Sequence, residues 1–196
     1  MTDCILPTAG AEDDDALFAV PPVTVLGIGN VILQDEGFGV RAVELLDMNY
    51  EFPDTVQIID GGTLGVELLQ FVTGTQKLLV IDSINGKEPA GSLFRFQDDA
   101  VMEHFQDKLS AHEVGIQDVL ATLSVTGRRI PEVVVLGVQP YDVGAGVALT
   151  EPMKALLPAI LEASLAELRR WGIEPVKKEH DAVLDDTIVA EERIWE

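Results

Sequence analysis

The apolar residues of the chain fall into short continuous runs that alternate with amphipathic stretches. Four of these runs are rich in β-branched residues and do not alternate with polar ones, which is typical of strands buried on both faces of a parallel sheet. A fifth run, residues 92–96, alternates weakly and predicts an edge strand. The four buried strands are predicted at residues 23–29, 56–60, 77–84 and 132–139.

Helical spacing of apolar residues predicts helices between these strands. One helix is expected over residues 37–48, and a shorter one over residues 65–73. Farther along the chain, Ser110 and Glu113 have the spacing of a capping box, and the residues that follow them recur at helical intervals. The apolar stripe of that helix consists of Ile116, Val119, Leu120 and Leu123.

The last predicted helix, over residues 151–171, contains a proline. Thr150 is placed to cap its start, and Gly172 is placed to end it. Proline lacks a backbone N–H and clashes with the preceding turn of a helix. We therefore expect Pro158 to kink this helix or to divide it in two.

Strands and helices that alternate in this way predict an α/β fold. We expect a single domain over residues 23–172, with a twisted, mostly parallel sheet of about five strands and helices on both faces. Residues 1–22 predict an acidic flexible arm, and residues 173–196 a polar acidic tail that is poorly ordered. In such sheets the functional groups collect beyond the carboxyl ends of the strands.

The net charge of the chain limits the classes of molecule that it is expected to bind. The formal net charge is -21, from 34 acidic and 13 basic residues. This charge argues against nucleic acid, which needs a basic surface, and favours a cation or a basic peptide. No apolar run approaches the roughly 20 residues of a membrane span. With an acidic amino terminus and one cysteine, Cys4, the chain is expected to be a cytoplasmic protein without disulfides.

The loop after the first strand begins like a nucleotide-binding turn, with Gly27 and Gly29. A dinucleotide fingerprint needs a third glycine at the position where this chain has Ile32. Asp35 and Glu36 would also repel a pyrophosphate. We therefore expect no nucleotide cofactor. The role of Asp35 stays open, since it could cap the following helix or tune its neighbour.

Three potential metal ligands lie at strand ends and helix starts. Glu36 precedes the first helix, and Asp82 follows the third apolar run, residues 78–81. His112 lies in the first turn of its helix, where the dipole favours a neutral imidazole that can coordinate a cation. Such a set, with open positions, suits a divalent transition metal such as nickel or zinc. Each residue could instead be an ordinary cap or turn former, and Asp60 could pair with Asp82 as in aspartic proteases.

Several segments of the chain, in matching order and spacing, resemble the hydrogenase maturation endopeptidases, which process the large subunit of nickel-iron hydrogenases. The resemblance is closest in VLGIGNVILQDEGFGVRAVELL, residues 25–46, and it covers roughly residues 23–172. The other matching segments are IIDGGTLGVELL (58–69), LLVIDSI (78–84), KLSAHEVGIQDVLATL (108–123) and VVVLGVQP (133–140).

The resemblance implies an endopeptidase that removes a short C-terminal peptide from the large-subunit precursor after nickel insertion. The family's metal-contacting positions fall on Glu36, Asp82 and His112, and Asp60 falls on a further motif position. It also implies that nickel arrives in the substrate, held by the precursor's cysteines, and is recognised through these three residues. Either the nickel acts as a Lewis acid, or Asp82 or Glu36 acts as a general base on water.

Two further expectations concern the substrate. Gly61, Gly62 and Thr63, together with residues 139–150, are expected to line the peptide cleft, since glycines let a backbone approach closely. A processing enzyme that engulfs a large precursor is expected to be a monomer. The alternatives are a metal-independent α/β peptidase that uses the same carboxylates, and a nickel-binding maturation chaperone without catalytic activity.

Overall fold

The computed structural model describes residues 20–98, 100–101, 114–179 and 182–184. Five strands form the main sheet of this part of the chain, and two short strands form a separate pair. The strands are β1 (Val23–Ile28), β2 (Tyr50–Glu51), β3 (Val56–Gly62), β4 (Lys77–Ser83), β5 (Leu93–Gln97), β6 (Glu132–Val138) and β7 (Val176–Lys177).

The described α-helices are α1 (Phe38–Asn49), α2 (Leu69–Val72), α3 (Val114–Val125), α4 (Glu151–Lys154) and α5 (Leu157–Arg170). Short 3-10 helices, Gln34–Gly37 and Gly65–Leu68, precede α1 and α2. The predicted division of the last helix is confirmed, because Pro158 lies in the first turn of α5, where its missing N–H removes no helical hydrogen bond. Thr150 caps α4, since its hydroxyl accepts a hydrogen bond from the Met153 N–H at 3.4 Å.

The main sheet has the strand order β3-β1-β4-β6-β5. The first four strands in this order are parallel, and β5 runs antiparallel to β6 at the edge. The predicted fold class and the predicted edge strand are therefore confirmed. From β1 the chain crosses to β3 on one side and then to β4 on the other side. The carboxyl ends of β1 and β4 thus border the switch point at which parallel sheets bind their ligands.

Each face of the sheet is covered by its own hydrophobic cluster. On one face, α1 and α5 pack against alternate residues of β1, β4 and β6, including Leu79 and Ile81. On the other face, α2 and α3 pack against the intervening residues, including Leu78 and Val80. The predicted stripe of α3 is confirmed, because Ile116, Val119 and Leu123 are buried there, with Leu120 packed partly buried against them. Ser110 and Glu113 lie outside the described residues.

The segment after Gly172 departs from its prediction. Ile173 is buried, and β7 pairs with β2 in antiparallel register. The side chain of Asn49 binds the backbone of Ala182 on both sides, accepting from its N–H at 2.7 Å and donating to its carbonyl oxygen at 3.1 Å. Part of the predicted tail is therefore packed onto the fold, because backbone pairing holds it without an apolar pattern. The boundaries of the arm, domain and tail stay a prediction.

Candidate active site

The carboxylate of Asp82 lies at the carboxyl end of β4, beside the switch point. Asp82 is 5% exposed, and its Oδ1 accepts a hydrogen bond from the Ser83 N–H at 2.7 Å. Side chains alternate along a strand, so Asp82 points to the same face as Leu78 and Val80. That face is the one covered by α2 and α3. The sequence therefore placed this carboxylate at the correct sheet edge.

Glu36 lies in the β1–α1 loop (residues 29–37), which follows the strand that neighbours β4 at the switch point. It is half-buried in the 3-10 helix that contacts β4, and its N–H donates to the Leu33 carbonyl oxygen at 3.1 Å. The loop can approach β1 this closely because Gly29, with a φ of +143°, has no side chain. A methyl group on Gly29 would overlap the carbonyl oxygen of Glu36.

A second glycine brings α1 onto the strand ends. A methyl group on Gly39 would overlap the carbonyl oxygens of both Ile28 and Ile81. The first turn of α1 therefore rests directly on the ends of β1 and β4. The glycines of this motif serve close packing of helix against sheet, which explains why the loop has glycines but lacks the dinucleotide fingerprint.

His112, the third predicted ligand, lies outside the described residues. The nearest described helix, α3, starts at Val114 and contacts the 3-10 helix Gly65–Leu68, which follows the carboxyl end of β3. In the part of the chain that the structure describes, no three histidine, cysteine or acidic side chains are grouped closely enough to hold a metal ion. The ligand set of Glu36, Asp82 and His112 stays a prediction.

Asp60 is placed differently from Asp82. It is exposed at the end of β3, and its Oδ1 accepts a hydrogen bond from the Gly62 N–H at 3.0 Å. The two strands are not adjacent, because β1 lies between them. Their backbones are thus roughly 10 Å apart, at two strand spacings. An aspartic-type pair needs carboxylates that share a site, and this sheet order does not favour one.

Asp35 has a role that the sequence left open. Its residue is completely buried, and its carboxylate binds the β6–α4 loop (residues 139–150) from a distance of more than 100 residues along the chain. Oδ2 accepts from the N–H groups of Tyr141 and Asp142, each at 3.0 Å, and from the Thr150 hydroxyl at 3.0 Å. Oδ1 accepts from the Thr150 N–H at 2.7 Å. Asp35 therefore joins the two loops and does not cap α1.

Backbone pairing completes this junction. The Gln34 N–H donates to the Gly146 carbonyl oxygen at 2.8 Å, and the Gly146 N–H donates to the Ile32 carbonyl oxygen at 3.0 Å. The Asp35 N–H donates to the Asp142 carbonyl oxygen at 3.1 Å. Gln34 adopts a φ of +46°, which is unfavourable for a residue with a side chain, and the paired loops hold it there. The loop that carries Glu36 is thus fixed from both sides.

Comparison with known proteins decides the family. The sequence profile of the HycI hydrogenase maturation protease family matches residues 40–167. The chain is also 39% identical over 162 residues to the Hydrogenase 2 maturation protease of Escherichia coli K12, covering 81% of this chain and 99% of that protein. The chain belongs to the hydrogenase maturation protease family.

Other relatives of this maturation protease agree in sequence and in fold. The hydrogenase expression/formation protein HupD of Rhizobium leguminosarum is 42% identical over 156 residues, which is 78% of this chain and 77% of that protein. The structure of the hydrogenase maturating endopeptidase HybD from E. coli superposes with a TM-score of 0.77 at 37% identity. It covers 80% of this chain and 97% of that chain.

Membership of the maturation protease family confirms the predicted enzyme class, a protein-cleaving hydrolase. It argues against the non-catalytic chaperone. The family profile begins at residue 40, so it starts four positions after Glu36 and does not itself assign a role to that residue. Within the described residues, no helix combines the length and the apolar character that crossing a bilayer requires.

Proposed function

We propose that this maturation protease removes a C-terminal peptide from the nickel-loaded large-subunit precursor of a nickel-iron hydrogenase. The names of its relatives support a hydrogenase protein as the substrate. The observation that carries the proposal is the placement of two carboxylates at the switch point, a buried Asp82 near the end of β4 and a half-buried Glu36 in a 3-10 helix that contacts β4. Ligands bind at such points in parallel sheets.

We infer that the enzyme recognises nickel that the substrate carries. In this proposal Glu36, Asp82 and His112 contact the ion, while the precursor's cysteines hold it. Carboxylate and imidazole are suitable ligands for nickel, and they can share it with thiolates of the substrate. The start of α3 is expected near Asp82, because α3 packs on the face to which that side chain points. A precursor without nickel would leave these carboxylates without a cation to bind.

Two catalytic routes are compatible with this arrangement. In the first, the substrate's nickel polarises the scissile carbonyl or a water molecule. In the second, Asp82 or Glu36 accepts a proton from the attacking water, the C–N bond breaks, and the proton passes to the leaving amine. In both routes the strand end fixes Asp82, and the junction with the β6–α4 loop fixes Glu36. Positioning of this kind reduces the reorganisation needed in the transition state.

The test compares variants on nickel-loaded precursor. Glu36→Gln and His112→Ala are expected to abolish cleavage without unfolding the protein, because each removes a contact to the ion. Cleavage is followed by mass spectrometry of the precursor's C-terminus. Glu67→Gln is the matched control, since Glu67 is an exposed acid near the same sheet edge outside the proposed ligand set. Wild-type rates in both site variants would contradict the residue assignment.

A second arm of the same experiment uses precursor without nickel. We expect no cleavage, because the carboxylates then have no cation to bind. Efficient cleavage of nickel-free precursor would instead favour the metal-independent peptidase with a carboxylate base. A precursor whose mass never changes would contradict the proposed substrate.

A further inference from the structure

Exposed apolar side chains are concentrated around the proposed active site. Eleven large apolar residues of the described chain are exposed, and six of them lie on the three loops that follow β1, β3 and β6. We call these six the apolar rim. Its members are Ile32, Leu64, Val66, Tyr141, Val143 and Val147.

The loops that carry the apolar rim are joined to one another. Gly146, next to Val147, pairs with Ile32 and Gln34 through the backbone. On the other side, the Gly29 N–H donates to the Gly62 carbonyl oxygen at 3.0 Å, which connects the β1–α1 loop to the end of β3. The three segments that carry the rim are therefore linked at the carboxyl edge of the sheet, and Ile32 lies on the same loop as Glu36.

The largest part of this surface is held in a fixed conformation. Tyr141 and Thr150, at either end of the β6–α4 loop, both donate backbone hydrogen bonds to the buried carboxylate of Asp35. The Tyr141 hydroxyl lies against Gly91, which leaves no room for a side chain there. A surface that is already ordered loses less conformational entropy when it binds, so it is suited to recognition.

The absence of charge in part of the apolar rim indicates what kind of surface it binds. Residues 143–148 (VGAGVA) carry no charged side chain, although the whole chain has a net charge of -21. The neighbouring Asp142 uses its Oδ1 to accept the Gly144 N–H at 2.8 Å. This uncharged segment of the rim offers a partner neither ion pairs nor electrostatic steering, so the contacts that it makes are apolar.

We propose that the apolar rim docks an apolar face of the folded precursor, next to the segment that is cleaved. This inference rests on the proposed function, because Ile32 of the rim shares the β1–α1 loop with Glu36, which makes the substrate protein the occupant. The rim binds the body of the substrate, while the carboxylates act on its C-terminal segment. Docking of this kind restricts cleavage to the correct protein, since affinity depends on a surface that a free peptide lacks.

The test is the double exchange Val143→Asn with Val147→Asn, assayed on full-length precursor. We expect KM and the Kd for the precursor to rise about tenfold, with kcat nearly unchanged, because apolar contacts at an interface centre dominate its affinity. Val125→Asn is the matched control, since Val125 is 89% exposed at the end of α3, away from the rim. It should leave KM and Kd unchanged.

The outcomes separate this inference from the proposed function. Wild-type enzyme that binds the precursor without cutting it contradicts the proposed function, while the Kd comparison still tests the rim. If the double variant binds the precursor with an unchanged Kd, the rim proposal is overturned. This holds even where the substitutions change the self-association of the protease, because the rim would then contact another copy of the chain and not the precursor. If the double variant loses its fold, Ile32→Asn on the β1–α1 loop is measured in its place, and an unchanged Kd again overturns the proposal.

Discussion

Two buried carboxylates of this protease are stabilised in different ways. Asp35, at the carboxyl edge of the sheet beside the proposed active site, is bound by backbone N–H groups and one hydroxyl. Glu167, on α5, is bound by the guanidinium groups of Arg95 and Arg170. The first carboxylate joins two loops, and the second joins a helix to the edge strand β5.

The Glu167 pair is short and partly open to solvent. Arg95 Nε lies 2.6 Å from Glu167 Oε1, and the side chains of Arg95 and Glu167 are 42% and 11% exposed. Arg170 also binds Glu132 on β6 at 2.9 Å, so the network spans both strands of the sheet edge. The hydrogen bond from Arg95, with a second from Arg170, lowers the pKa of Glu167 below its ordinary value.

The difference shows how charge is distributed in this molecule. Backbone N–H groups hold Asp35 without bringing a positive side chain to the loop that carries Glu36. In the proposed function, a guanidinium in that position would compete with the substrate's nickel for the carboxylates. Arginine is used instead at the sheet edge that carries β5, where ion pairing stabilises the fold alone.

The largest effect is expected from Asp35→Ala. This substitution leaves the N–H groups of Tyr141, Asp142 and Thr150 without their acceptor. A hydrogen bond to a charged group contributes about 1.5–3 kcal/mol to stability. We expect the free energy of unfolding to fall by about 3–5 kcal/mol, because several donors lose their acceptor at once and each unsatisfied buried group costs about 1–3 kcal/mol. Urea unfolding measures it. Asp35→Asn, which keeps one acceptor oxygen, should lose less; equal losses would contradict the loop-joining role.

Glu167→Gln is expected to have a smaller effect, about 1 kcal/mol, because the partner arginines are partly exposed. Since folding lowers the pKa of Glu167, its stabilisation is present above the ordinary carboxyl pKa and is lost as pH falls through the lowered value. The stability difference between wild type and variant should therefore shrink below that range. Urea unfolding at neutral and at acidic pH measures this difference, and one that persists in acid would refute the charge-based account.

The smallest expected effect is that of salt concentration on the stability cost of these two substitutions. Raising sodium chloride from about 0.05 M to about 0.5 M shortens the screening length severalfold. The cost of Glu167→Gln should decrease by a few tenths of a kcal/mol, because its partners are solvent-exposed cations. The cost of Asp35→Ala should not change, because its partners are neutral and the carboxylate itself is buried. An equal response of both variants in urea unfolding would remove the distinction between the two carboxylates.

The fold could be predicted because burial on both faces leaves a pattern in sequence. β1, β4 and β6 are continuous apolar runs, and their predicted positions agree with the structure to within one residue. The pair β2 and β7 could not be predicted in this way. Each strand has two residues, and backbone pairing depends on no side-chain pattern.

The site could be predicted only in part. Asp82 and Glu36 are accessible to reasoning from sequence because both adjoin long apolar elements whose ends are easy to locate. The sequence around Asp35 is compatible with two local roles, whereas its partners lie 106 to 115 residues away. No local pattern indicates a contact at that separation. The fixed β6–α4 loop depends on these distant contacts and is therefore not predictable from local pattern, and His112 stays a prediction from sequence.

The close packing of α1 against the ends of β1 and β4 has a consequence for mutational libraries. A library that randomises Glu36 changes chemistry at a half-buried side chain, so most of its members should retain the fold. A library that randomises Gly39 places every side chain other than hydrogen against the Ile28 and Ile81 carbonyl oxygens. Position 39 therefore tolerates almost no variation, for reasons of volume alone, and a selection for folding would recover glycine there before any selection for cleavage was applied.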